Sequence, residues 1–224
     1  MRMPFRDRVH AGQLLAGALT KYANRNDVVV LGLPRGGIPV AFEVAAALKA
    51  PLDVFVVRKL GVPSYPELAM GAIASGGVSV RNEEVLAELG ITQRTFNAVA
   101  AEERKELARR ELAYRGHDSP PEIRGKIVIL VDDGIATGST IRAGIRALRL
   151  QQPASIIVAV PTAAAACCAA LEREADELIA LITPEDFRAV GEWYEDFSQT
   201  TDQEVTHLLA KAGHGPMRKE PKAA

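Results

Sequence analysis

Asp132 and Asp133 end an apolar run, Val128-Ile129-Leu130-Val131, and stand directly before Gly134-Ile135-Ala136-Thr137-Gly138-Ser139-Thr140. Ionised carboxylates only accept hydrogen bonds, so a neighbouring pair suits vicinal hydroxyl groups. The small and hydroxyl residues that follow can turn successive backbone N–H groups, and the positive end of a helix, toward an anion. Ile141, Ile145 and Leu148 then recur at helical spacing, which predicts buried strand, tight loop and helix in succession. A phosphate grip beside a diol grip is the chemistry of a ribose 5-phosphate. The loop lacks the Gly-Lys-Ser/Thr ending of a P-loop, and Gly134 with Gly138 lacks the third glycine of a dinucleotide fingerprint. Loops at the carboxyl ends of strands hold ligands of many kinds in doubly wound sheets, so the whole acidic-to-hydroxyl run carries the reading.

Three further groups of residues could serve the same site. Leu33-Pro34-Arg35-Gly36-Gly37 follows the apolar run at 28–33; its glycines allow close backbone approach to an anion, and Arg35 offers a planar fork of donors. The bland alternative is a tight strand-to-helix connection. Arg58-Lys59 is expected to close a second buried strand, Val54-Phe55-Val56-Val57, and so to lie beside the first two loops. Here the alternative is a pair of solvent-exposed cations. Near the C-terminus, Phe187, Trp193, Tyr194 and Phe197 concentrate in a chain that is 5% aromatic, with Glu195 and Asp196 among them. Exposed ring faces there could stack on a planar molecule whose edge a carboxylate reads, unless the cluster is a hydrophobic plug or a dimer contact.

The elements that must position these groups alternate. Phe5, Val9, Leu14, Leu15, Ala18, Leu19 and Tyr22 suggest an N-terminal helix with that face inward. A helix with Pro39 near its start and Val44, Ala45 and Leu48 inward follows the first strand, and Pro51 closes it. Residues 60–67 read as a turn-rich excursion, residues 69–80 as a hairpin about Ser75-Gly76-Gly77, and residues 92–114 as a highly charged helix with a solvated face. Its Glu106/Arg110 and Glu111/Arg115 pairs have the favourable i,i+4 order. Ser119-Pro120-Pro121 breaks the chain before the motif strand. Two more strands, at 155–160 and 177–181, flank an Ala-rich helix. Near-continuous apolar strands alternating with helices predict a doubly wound α/β fold with a mainly parallel sheet. Residues 212–224 lack apolar periodicity and are expected to be a disordered tail.

Composition narrows the partners. With 224 residues, 48% of them hydrophobic and a net charge of −1, the chain suits one globular core with an appendage. That charge disfavours a surface made to coat nucleic acid, so anion binding must come from local features. No apolar span is long enough to cross a bilayer, and charges interrupt any signal core, so a cytoplasmic protein without membrane contact is expected. Adjacent Cys167 and Cys168 fit neither metal spacing nor a disulfide framework and are expected to be small buried residues.

The run at 128–140 resembles the ribose-phosphate motif of the type I phosphoribosyltransferases, and Leu33-Pro34-Arg35-Gly36-Gly37 resembles that family's pyrophosphate-binding loop. The resemblance covers residues 28–181 through the three core motifs, and more weakly the C-terminal aromatic stretch. It implies a Rossmann-like domain over 1–211, with the core at 28–181, a flap and helix at 60–118 and a hood at 183–200. It implies transfer of a 5-phosphoribosyl group from phosphoribosyl pyrophosphate to a small-molecule acceptor, with Mg2+ held mainly by the substrate and a homodimer as the expected assembly. Asp132 and Asp133 would hold the ribose diol and assist the metal through water. Gly134, Ile135, Ala136, Thr137, Gly138, Ser139 and Thr140 would grip the 5-phosphate. Arg35, Gly36, Gly37, Arg58 and Lys59 would take the pyrophosphate. Arg58, Lys59, Asp132 and Asp133 would be the catalytic set, and Phe187, Trp193, Tyr194, Glu195 and Asp196 would meet the acceptor. Two departures stand out: the hood's acid falls at Glu195 with Asp196 one further on, and Ala136 stands where 6-oxopurine salvage members carry an aspartate. The second argues against a 6-oxopurine acceptor. The competing class is a regulator that senses phosphoribosyl pyrophosphate or a nucleotide without turnover, and a weaker third is a phosphosugar hydrolase.

Overall fold

The structure is a computed structural model that describes residues 5–116 and 121–213; Ser119, Pro120 and the expected tail from 214 onward lie outside the described residues. The chain begins with α1 (Arg8–Ala18), β1 (Val28–Gly32), α2 (Gly37–Leu48) and β2 (Leu52–Val54). It continues through β3 (Val57–Val62), β4 (Tyr65–Ala74), β5 (Val78–Arg81), α3 (Glu83–Glu88) and α4 (Gln93–Arg115). Then come β6 (Ile127–Val131), α5 (Ser139–Leu150), β7 (Ser155–Thr162), α6 (Ala165–Glu174), β8 (Glu177–Ile182) and α7 (Asp202–Lys211).

β1, β2, β6, β7 and β8 form a parallel sheet in the order β2-β1-β6-β7-β8. Alternate residues of each central strand feed two cores. Val28, Val30, Ile129 and Val131 pack toward α1, α2, α4 and α7, whereas Val29, Leu31, Val128 and Leu130 pack toward α5. Burial on both faces is why these strands read as unbroken apolar runs. The chain moves from β1 outward to β2 and returns at β6 on β1's other side. The strand order therefore reverses between β1 and β6, where open α/β sheets bind their ligands.

Three expectations are corrected. Val54-Phe55-Val56-Val57 is not one strand. Phe55 N–H still donates to Gly32 C=O, at 2.9 Å, but Val56 exchanges bonds with Ser75, and Val57 pairs with Ala74 in an antiparallel sheet ordered β3-β4-β5. Arg58 and Lys59 consequently lie inside β3. The stretch read as a turn-rich excursion is mostly strand, closed by the β3–β4 connection. In α1 the buried residues are Ala11, Gly12, Leu15 and Ala16, while Val9 and Leu14 remain 44% and 48% exposed. No helix among the described residues is long and apolar enough to cross a membrane.

Candidate active site

Loops at the carboxyl ends of β1 and β6 touch. A Cβ on Gly36 would overlap Asp133 Oδ2, and one on Gly37 would lie 2.8 Å from Val131 O and 2.9 Å from the Asp132 Cα. Only glycine permits this approach. Leu33 N–H donates to Val131 C=O at 2.9 Å, which extends the β1–β6 pairing into the loops. The Pro34–Arg35 peptide is cis. Neither α2 nor α5 has a side-chain N-cap, whereas Asp7, Asn82, Thr92 and Thr201 cap α1, α3, α4 and α7. At α2, Gly37 N–H already donates to Leu33 C=O at 3.0 Å and Ile38 N–H to Arg35 C=O at 3.2 Å, so the amide donors available where the loops converge are those at the start of α5, where Ser139 N–H reaches only Thr137 Oγ1 at 3.5 Å. In the loop after Asp133, Gly134 and Ile135 are covered or half-covered, while Ala136, Thr137, Ser139 and Thr140 are exposed.

The two carboxylates are held differently. Asp132 is half-buried and its Oδ1 accepts from Asp133 N–H at 2.9 Å. Burial first, and then the charge of Asp133, raise the Asp132 carboxyl well above the ordinary carboxylate range. Asp133 Oδ2 accepts from Arg8 Nε at 2.8 Å, and its backbone carbonyl accepts from Tyr194 OH at 2.6 Å. Arg8 also donates to Ser198 C=O at 2.7 Å and lies 3.9 Å from the centre of the Phe197 ring. Sequence reasoning missed Arg8, whose partner is 125 residues away and leaves no local signal.

The cations expected to meet at one diphosphate occupy two places. Arg58 and Lys59 line a cavity of about 580 Å3 with Thr140, Val99 and the Gly61–Pro63 turn. Arg58 is paired with Glu103 of α4, and Lys59 with Glu67 at 3.2 Å. Arg35 instead faces α4 and α7, in a cavity of about 200 Å3 with Arg109, Arg110, Tyr114 and Asp202. Its Nη1 is 3.8 Å from Asp202, whose Oδ1 accepts from Tyr114 OH at 2.8 Å. Burial and then this carboxylate push the Tyr114 hydroxyl up to about 12.

The aromatic stretch divides too. Tyr194 is buried, its ring 5.4 Å from Phe5 and 5.0 Å from Phe197, so it positions Asp133 and offers no open face for stacking. Burial raises its hydroxyl strongly. Phe187 and Trp193 are half-buried and stacked on each other at 6.1 Å, while Glu195 and Asp196 are exposed. Trp193 Nε1 and Thr162 Oγ1 are buried without a hydrogen-bond partner. Val190 and Thr162 close over Gly134, where a Cβ would come within 2.5 Å of Val190 Cγ1. Cys167 and Cys168 are half-buried rather than buried, because α6 lies on the rim of the site; the Cys167 thiol donates to Ala136 C=O at 3.0 Å.

Among the described residues, no group of three or more His, Cys, Asp or Glu side chains is placed to hold a metal. Two neighbouring carboxylates without a third ligand would suit only a hard cation, such as Mg2+, that takes most of its oxygens from a bound molecule and water.

Comparison with known proteins agrees with this geometry. The profile of the phosphoribosyl transferase domain family matches residues 8–196. Two Mycobacterium tuberculosis proteins, from strains CDC 1551 and H37Rv and provisionally named phosphoribosyl transferases, are each 47% identical over 209 residues, covering 93% of this chain and 47% of theirs. The chain thus spans about half the length of the curated relatives it matches. The crystal structure of TT1426 from Thermus thermophilus superposes with a TM-score of 0.84 at 41% identity, covering 96% of this chain and 100% of that one. With its glycine loop and its acidic loop meeting between β1 and β6, this chain belongs to the phosphoribosyl transferase domain family.

Proposed function

We propose that the protein transfers a 5-phosphoribosyl group from phosphoribosyl pyrophosphate to a nitrogenous acceptor, releasing pyrophosphate. The observation that carries this reading is the contact between Gly36-Gly37 and Asp132-Asp133, which sets a diphosphate loop against a diol-and-phosphate loop. In the reaction the acceptor nitrogen bonds to C1 of the ribose as the C1–oxygen bond breaks, and the electron pair leaves with the pyrophosphate. Donors aimed at the departing charge lower the barrier more than contacts shared equally with the ground state.

In this reading Asp132 and Asp133 hold the ribose hydroxyls, and residues 134–140 with the start of α5 take the 5-phosphate. Gly36 and Gly37, with no side chains in the way, bring the loop after β1 against the diphosphate. Arg58 and Lys59 reach it across the cavity they share with Thr140, Arg58 by exchanging Glu103 for a phosphate oxygen. Mg2+ arriving with the diphosphate supplies charge neutralisation. The flap at 60–118 and the hood at 183–200, on a core at 28–181 within a domain at 1–211, exclude water that would otherwise capture the activated ribose. Phe187 and Trp193 offer the acceptor a ring surface, with Glu195 or Asp196 at its edge.

Ala136 exposes a methyl group where a carboxylate would be needed to handle a ring proton, so the acceptor is not a 6-oxopurine. A pyrophosphate-release assay with phosphoribosyl pyrophosphate, Mg2+ and a panel of bases is the test. Turnover with one base, and hypoxanthine and guanine far slower, is the expected result. Binding without turnover across the panel points to the sensor, and ribose phosphate released without acceptor points to the hydrolase. The accompanying homodimer is checked by light scattering.

A further inference from the structure

We infer that Arg8 is a positioning residue that holds Asp133 in the orientation needed to receive a ribose hydroxyl. The inference rests on the proposed diol role of Asp133.

The Arg8 guanidinium sits where three parts of the site meet. Its Nε donates to Asp133 Oδ2 at 2.8 Å, its Nη1 donates to Ser198 C=O at 2.7 Å, and its face lies 3.9 Å from the centre of the Phe197 ring. Nε is also 3.3 Å from the point where a Cβ on Gly36 would stand. One side chain therefore touches the first loop, the acidic pair and the hood. Arg8 engages Oδ2 of Asp133 and the Asp132 carboxyl is that carboxylate's other side-chain neighbour; two carboxylate oxygens offer about four acceptor sites, so a ligand hydroxyl can still be received. The planar guanidinium sends donors in two fixed directions, Nε to Asp133 and Nη1 to the hood, and so ties the carboxylate to Ser198; the point charge of a lysine could not hold both.

The segment carrying Arg8 is itself anchored to the hood. Phe5 N–H donates to Trp193 C=O at 2.7 Å, Glu195 N–H to Phe5 C=O at 2.7 Å, and Asp196 N–H to Arg6 C=O at 2.8 Å. Tyr194, between these bonds, grips the Asp133 carbonyl. Asp133 is thus held through its side chain by the N-terminal helix and through its backbone by the hood. Stapling α1 does not require this arrangement, because Ala11, Leu15 and Ala16 are already buried and Asp7 caps the helix at His10 N–H. Arg8 and Asp133 are 11% and 14% exposed, so an Asp133 deprived of Arg8 would be a poorly solvated charge beside Asp132, and would turn away.

The experiment uses methyl ribofuranoside 5-phosphate and its 2,3-dideoxy counterpart, with calorimetry on the wild type, Arg8→Gln, Arg8→Lys, Asp133→Asn and the Arg8→Gln/Asp133→Asn double variant. The wild type should prefer the diol ligand, and Asp133→Asn should lose about tenfold of that preference. Arg8→Gln should lose a similar factor with dideoxy binding unchanged, Arg8→Lys should fall between, and the double variant should lose no more than either single one. A wild type without preference, or Asp133→Asn with preference intact, overturns the diol reading itself. Preference lost in Asp133→Asn but kept in both Arg8 variants overturns the Arg8 proposal alone. So does an equal loss for both ligands, and Arg8→Lys, the milder change, decides the matter if Arg8→Gln does not fold.

Discussion

Two arginine–aspartate pairs join distant parts of this chain: Arg115 with Asp53, at the seam between α4 and β2, and Arg8 with Asp133, at the cleft. Both have Nε 2.7–2.8 Å from a carboxylate oxygen. The seam pair is sealed, its side chains 1% and 5% exposed, against 11% and 14% at the cleft. All three nitrogens of its arginine are also engaged. Arg115 donates to Glu111 at 2.8 Å and to Val54 C=O at 2.5 Å, and Asp53 Oδ1 takes Val54 N–H at 2.6 Å. That cluster docks the last turn of α4 on the edge strand, and its burial closes it to a ligand. The cleft pair spends one arm of the arginine on the hood and keeps its carboxylate within reach of solvent. Burying a charge pair makes it a fastener; leaving it at the edge of solvent lets it be part of a binding surface.

The largest effect should come from the seam. Arg115→Ala strands Asp53 without its partner in a dry environment, a change that typically costs about 3–5 kcal/mol. Denaturant unfolding should show that loss, while the folded fraction keeps its affinity for phosphoribosyl pyrophosphate. Asp133→Asn should do the reverse, with little change in unfolding and a loss of about 1.5–3 kcal/mol in phosphoribosyl pyrophosphate binding, read by calorimetry. If Asp133→Asn unfolds the protein as Arg115→Ala does, the two pairs are alike and the contrast fails.

Smaller changes sharpen the cleft side. Replacing Arg58 and Lys59 by glutamine should weaken phosphoribosyl pyrophosphate binding by about 1 kcal/mol, since Arg58 must give up Glu103 to reach the diphosphate, and should hardly affect a nucleoside monophosphate. Equal losses for both ligands would remove these residues from the diphosphate site. The smallest effect concerns Asp132, whose raised carboxyl stabilises the fold fully below the ordinary carboxylate range, about pH 4, and loses that contribution as pH rises through the raised value. Asp132→Asn carries no charge to desolvate. Its thermal midpoint should exceed the wild type's at about pH 8 and match it at about pH 4; a midpoint lower at both would mean that Asp132 is a structural carboxylate.

What the sequence determined by itself is whatever short-range chemistry dictates. Val128-Ile129-Leu130-Val131 must hide both faces, the glycine-containing loop after Asp133 must turn, and Ile141, Ile145 and Leu148 can share a face only on a helix, so strand, loop and helix follow locally. The parallel sheet followed from repetition of that pattern. The partition of residues 52–62 between two sheets was decided by tertiary structure, because Phe55 and Val56 find apolar cover on either side and only a distant partner, Ser75, sets where the ladder changes. So was the inward face of α1. A Cβ on Gly12 would stand 2.8 Å from Glu43 Cβ, so the contact with α2 is too close for Val9 or Leu14, and small residues occupy it. Arg8 carried no local signal, Arg35 read as a diphosphate ligand and Tyr194 as a ring facing the acceptor, and the partners they have lie 125, 167 and 61 positions away. A side chain's type limits which bonds it can make, but across such separations only the packed fold decides which of them form.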